Sequence, residues 1–182
     1  MIIGITGTNG AGKGTVVEIL KEKGFTHYSV SGYLGELLRE KGEEVNRDAM
    51  IRLANELRTE NSPSYLAEVL YNKALREGAE FPIIESLRTE GEVTALRKKG
   101  GFYLLAVDAS PEIRYNRITN RGSNKDAVSF QQFMEQEKRE MHSDDANKQN
   151  LRRCIEMADY ILINNDSIQE LRKNICSFMD NL

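Results

Sequence analysis

Lys13 ends a glycine-rich run, GTNGAGK, in which Gly7, Gly10 and Gly12 precede it at the spacing GxxxxGK. Glycines so placed let backbone N–H groups turn inward around phosphate oxygens, and the lysine adds a full positive charge. Phosphate-binding loops commonly follow the lysine with a Ser or Thr whose hydroxyl ligates magnesium. Here Gly14 follows, and Thr15 comes one place later. Two further sets of residues suit the handling of phosphate. Glu85 and Arg88 fall three apart in PIIESLR, and Arg117 and Arg121 fall four apart in SPEIRYNRITNRG. The i, i+4 spacing puts both guanidinium groups on one helix face, as clamping one polyanion requires. Arg114 lies on the same stripe at the start of that helix, where solvation explains it equally well.

These residues need elements to hold them. Ile2 to Thr6 is a nearly continuous apolar, β-branched run that stops at a glycine, which reads as a strand buried on both faces. The following TVVEILKEKG puts Val16, Ile19 and Leu20 on one helical face and closes on Gly24. The result is strand, glycine loop, helix, with the helix amino terminus adding favourable partial charge at the loop. HYSVS, FPIIES, GFYLLAVDAS and DYILINND read as four more strands. Helices are expected over Gly35 to Lys41, Arg47 to Thr59, Ser64 to Glu77, Gly91 to Lys98, Pro111 to Arg121 and Ser167 to Leu182.

Strands alternating with helices imply an α/β protein with a five-stranded parallel sheet and helices on both faces. At 182 residues the chain fits one domain, 1–182. Two stretches interrupt the alternation. Residues 32–78, between strands two and three, read as nearly all helix, and the polar stretch between strands four and five includes 117–150. Ligands of open α/β sheets bind beyond the carboxyl ends of the strands, the side from which both stretches could fold over the glycine loop. Their lengths suit a substrate-holding arm and a lid.

Composition narrows the rest. A hydrophobic fraction of 40%, a charged fraction of 29% and a net charge of −3 describe a soluble globular chain and argue against one whose main role is coating nucleic acid. Cys154 and Cys176 form no CxxC and have no clustered histidines, which indicates neither zinc nor a disulfide framework. His27 and His142 are isolated, and Asp144 and Asp145 read as surface charges. Tyr28, Tyr33, Tyr65 and Tyr71 suit half-buried positions at least as well as stacking on a base. No apolar run is long enough for a signal peptide or a membrane span, so a cytoplasmic protein is expected, monomer or homodimer.

GTNGAGKGT resembles the loop of adenylate kinases and related nucleoside monophosphate kinases, whose pattern is GxxGxGKGT. The resemblance implies a three-layer α/β/α P-loop fold with a helical arm for the acceptor nucleotide and a short lid, using ATP and Mg²⁺. Thr8, Asn9, Gly10, Ala11, Gly12, Lys13, Gly14 and Thr15 would then cradle the donor, with Thr15 on the metal side. PIIESLR resembles strand three of the same superfamily, which implies that Glu85 acts on magnesium through water and that Arg88 faces the acceptor phosphate. SPEIRYNRITNRG is similar to the segment that enters the lid, giving Arg117 and Arg121 the nucleotide phosphates.

YLGELLREKG, NRDAM, NELR, IIESLRTEGEVTALRK and MADYILINNDSIQEL extend a resemblance to small archaeal-type P-loop proteins, nucleotide kinase-related or dephospho-coenzyme A kinase-like, over nearly the whole chain. It implies Arg39 as the acceptor-phosphate arginine and Arg58 as a second candidate. Ser31 and Gly32 would meet the acceptor at the end of strand two. SVSGY carries no carboxylate where a dephospho-coenzyme A kinase places its base. The expected activity is transfer of the γ-phosphoryl group of ATP to a small phosphorylated acceptor, foremost a (deoxy)nucleoside monophosphate. Dephospho-coenzyme A as acceptor, or a regulatory ATPase without kinase activity, are the alternatives.

Overall fold

The computed structural model describes residues 1–120 and 128–182. Its centre is β1 (Ile2–Gly7), buried at every residue. Parallel to it run β3 (Pro82–Glu85) on one side and β4 (Phe102–Asp108) on the other. The edges are β2 (Thr26–Ser29), beside β3, and β5 (Tyr160–Ile163), beside β4, so the order is β2-β3-β1-β4-β5. Every pairing is parallel, consistent with the apolar central strands.

Helices cover both faces. On one, α1 (Lys13–Lys21) and α9 (Ile168–Asp180) pack Val16, Leu20, Ile175 and Phe178 onto Ile3, Ile5, Leu105 and Leu162. On the other, α2 (Val30–Glu40), α3 (Arg47–Glu60), α4 (Tyr65–Arg76), α5 (Glu90–Arg97) and α8 (Leu151–Glu156) enclose Ile84, Leu87 and Leu104. Among the described residues, α6 (Pro111–Asn120) follows β4 and α7 (Phe130–Met141) packs against α6 and α8. No helix among the described residues is long and apolar enough to cross a membrane.

Two readings of the sequence need correction. HYSVS was expected to be strand throughout, but β2 stops at Ser29, whose Oγ accepts a hydrogen bond from Gly32 N and caps α2. A Ser cap satisfies an otherwise orphaned helix N–H, and this outweighs the β-branched Val30. Ser31 and Gly32 therefore occupy the first turn of a helix, not a strand end. The polar stretch after α6 also contains helix. Ser129 and Gln132 form a reciprocal capping box that starts α7, and Asn150 caps α8.

Candidate active site

The glycine loop runs from the end of β1 to α1, and three of its glycines, Gly7, Gly10 and Gly12, are forced. Gly7 has φ 135°, and a Cβ there would run into the Val107 carbonyl of the neighbouring strand. Gly12, at φ 98°, leaves no space for a Cβ beside the Asn164 amide. Side chains outside the loop hold its carbonyls: Asn164 Nδ2 donates to Ala11 O at 2.8 Å, Arg117 Nη1 to the same oxygen at 3.4 Å, and Arg114 Nη1 to Asn9 O at 3.4 Å. Thr8 Oγ1 donates to Asp108 Oδ1 at 2.5 Å, tying the loop to the tip of β4. Fixing the carbonyls fixes the peptide planes, which is the preorganisation a phosphate cradle needs.

Lys13 folds back into this cradle, donating from Nζ to Gly7 O at 2.9 Å and Thr8 O at 2.7 Å. Burial, with Arg88 beside it, pushes its pKa down from 10.5 to about 7, against the opposing pull of Glu85. Gly14 differs from the other loop glycines: a Cβ there meets nothing within 4 Å. Gly14→Ala is therefore expected to fold with a thermal midpoint no lower than the parent, and any penalty should show in nucleotide affinity alone. A lowered midpoint without nucleotide would contradict this.

Glu85 forms the opposite wall. It shares a register position with Ser29 across β2 and β3, which lets the Ser29 hydroxyl donate to its carboxylate at 3.0 Å. Burial pushes the Glu85 pKa up, but His27 (Nε2 3.9 Å away), the Lys13 charge and the Ser86 and Ser29 hydroxyls outweigh it and hold the pKa at about 2. The chain then turns through Ser86, the one non-glycine residue at positive φ among those described, at 72°. Such a conformation disfavours a side chain, and strained conformations cluster at functional sites. The Ser31 hydroxyl donates to Ser86 Oγ at 2.9 Å, and the turn delivers Arg88, whose Nη1 lies 3.4 Å from Gly7 O.

Loop and wall border one cleft of about 800 Å³. The cleft gathers Asn9, Gly10, Gly12, Lys13, Gly14, Thr15, Ser31, Glu85, Arg88 and Arg117, all expected from sequence. Thr8 and Ala11 are loop residues with buried side chains and brace the loop from within. Arg121 lies outside the described residues. Two acceptor candidates are placed differently from the rest. Arg39 is exposed on the flank of α2 beside Gly35 and does not border the cleft. Arg58 reaches the cleft wall, but it is 1% exposed and gives Nε and Nη2 to the buried Glu92 at 3.1 and 2.8 Å, a structural ion pair. Gly32 lies outside the cleft lining, its N–H spent on Ser29.

Among the residues at the site not singled out from sequence are Arg47, Asp108, Glu140 and Asn164. Arg47, at the start of α3, points into the cleft with Arg88, and Glu140 from α7 stands between them. Asp108 carried a signal, since it ends strand four where β-strands of such sheets place functional groups. Arg114, by contrast, is no ligand: it is 3% exposed, bound to Ala109 O at 2.7 Å and forked onto Glu137.

A parallel sheet in this order, with a glycine loop joining its central strand to a helix and a lysine closing the loop, defines a P-loop kinase-like α/β protein. The chain belongs to the AAA domain family, whose model matches residues 3–143, and to the UPF0200 proteins, being 32% identical over 177 residues to one from Pyrobaculum aerophilum, with 96% of this chain and 94% of that one covered. Among solved structures it is similar in fold to TT1252 from Thermus thermophilus, at TM-score 0.64 and 20% identity, covering 100% of this chain and 97% of that one. It is similar also to the dephospho-CoA kinase from Campylobacter jejuni, at TM-score 0.55 and 15% identity, covering 98% and 95%.

Proposed function

We propose that the protein is an ATP-dependent phosphotransferase that moves the γ-phosphoryl group to a small phosphorylated acceptor, a (deoxy)nucleoside monophosphate. The observation that carries this is the second set of cations. Arg47 and Arg88 face the same cleft as Lys13 and the loop, from different elements, so two phosphate-binding positions adjoin. A regulatory nucleotide switch needs only the first. An acceptor phosphate is already a competent nucleophile, which matches a site with no carboxylate following β2. A hydroxyl acceptor such as dephospho-coenzyme A would need one.

In this reading the loop amides and Lys13 hold the donor's β- and γ-phosphates, Arg47 and Arg88 hold the acceptor, and Arg117 and Arg121 attend the transferred group. Arm and lid are the segments 32–78 and 117–150. Among the described residues no group of three or more His, Cys, Asp or Glu is arranged to hold a metal. That suits Mg²⁺, which is bound through one or two protein groups plus substrate phosphates and water. The exposed Thr15 hydroxyl and the ionised Glu85 both border the cleft and would take those places. Bound there, the cation neutralises phosphate charge as transfer proceeds.

The test mixes pure protein, ATP and Mg²⁺ with a panel of nucleoside monophosphates and dephospho-coenzyme A. At least one monophosphate should draw ADP formation well above the acceptor-free rate, with the matching diphosphate as product. No stimulation by any acceptor would sink the kinase reading; stimulation by dephospho-coenzyme A alone would move the acceptor.

A further inference from the structure

Glu140 needs a reason to be where it is. Its side chain is 8% exposed, yet it borders the cleft, where an anionic ligand is to bind. Arg47 donates from Nε at 2.7 Å and lies at 2.6 Å through Nη2, both to Oε1, and Arg88 Nη1 lies 3.9 Å from Oε2. A carboxylate taken out of water costs free energy that its partners must offset. Fastening α7 does not require it. One turn earlier Glu137 is already forked by Arg114, and Phe133 packs under the Arg114 guanidinium at 5.4 Å and against Tyr115 at 5.8 Å. What Glu140 does distinctively is fill the space between two guanidinium groups that approach from different elements.

We infer that Glu140 holds the place of the acceptor's phosphate between Arg47 and Arg88, and that displacing it makes the site selective for acceptors bearing a dianionic group. This rests on the reading of those arginines as acceptor ligands. A phosphate monoester carries close to two charges and three acceptor oxygens near neutral pH, so it outcompetes a single tethered carboxylate for two guanidinium forks. A hydroxyl group, or an acceptor with one negative charge, does not. Glu140 also keeps Arg47 and Arg88 paired in the empty cleft, and it lies in the last turn of α7, so its departure reports acceptor binding to the lid. Selectivity of this kind works by rejecting the wrong ligand as much as by holding the right one.

The experiment reads binding, so it stands apart from the transfer assay. Protein saturated with ADP, which occupies the loop, is titrated with inorganic phosphate by calorimetry. Glu140→Gln, equal in size but uncharged, should bind phosphate about tenfold more tightly than the parent, and the gain should vanish when Arg47→Ala is added. Equal or weaker binding by Glu140→Gln, or a gain that survives without Arg47, would overturn the inference. In the unaltered protein, phosphate should speed amide exchange at residues 137–141 as Glu140 leaves its partners. Exchange that slows or holds there would count against it independently of any variant.

Discussion

Lys13→Ala should lose phosphoryl transfer by about 10³-fold while the empty protein stays folded. Removing one preorganised donor from a site where charge develops costs on the order of 10²–10³ in rate, and under the proposed function Lys13, protonated once phosphate binds, faces the transferring phosphates from the cleft. The fold depends on it little. Its two hydrogen bonds go to the Gly7 and Thr8 carbonyls and are worth about 1 kcal/mol each. In a domain of this size that is a change of a few degrees in thermal midpoint, roughly 2–4 °C per kcal/mol. Near-normal turnover, or unfolding without nucleotide, would each remove Lys13 from its role.

The same lysine ties binding to pH. In the empty protein its pKa is about 7, whereas an unfolded lysine keeps its proton to about 10.5. Between those values the unfolded chain binds more protons than the native one, so stability rises with pH through that window. Phosphate oxygens act oppositely, favouring the charged form and returning the proton. ATP should therefore bind with uptake of up to one proton and weaken by up to about tenfold per pH unit above pH 7. Calorimetry in buffers of different ionisation enthalpy measures the uptake directly, and Lys13→Ala should abolish it.

Which parts of this site could be read before the structure follows from what each depends on. The three central strands and the glycine loop were legible because their causes are local: a strand buried on both faces must be apolar, and Gly7 and Gly12 have conformations that other residues resist. Which arm arginine faces the cleft depends on tertiary structure. Arg39 and Arg47 are both helical, but α2 buries Val30, Leu34 and Leu38, and Arg39 projects away from that stripe, while Arg47 starts a helix aimed across the cleft. Helix α7 escaped notice because only Phe133 and Glu140 are buried along it, and Glu140 is held by an arginine 93 residues away. Charge runs read as solvated surface unless their partners are known.

Arg58 shows the same limit with a larger consequence. Arg58→Ala should destabilise the protein by about 3–5 kcal/mol, the cost of leaving a buried carboxylate without its counter-charge, and lower the thermal midpoint by about 10 °C. Glu92 is fully buried and divides its two oxygens between different partners. Its Oε1 takes both Arg58 nitrogens, while Oε2 accepts from the backbone amides of Arg88 at 2.7 Å and Thr89 at 3.2 Å. The Thr89 contact closes the capping box that starts α5, and the Arg88 contact fixes the backbone from which that arginine reaches the cleft. Loss of Arg58 therefore loosens Arg88 at second hand, raising the acceptor KM only alongside lost stability. Adding Glu92→Gln to Arg58→Met removes the stranded charge while keeping an acceptor oxygen for the two amides, and should recover much of the midpoint. Were Arg58 a phosphate ligand instead, Arg58→Ala would raise the acceptor KM at an unchanged midpoint, and the double substitution would restore nothing.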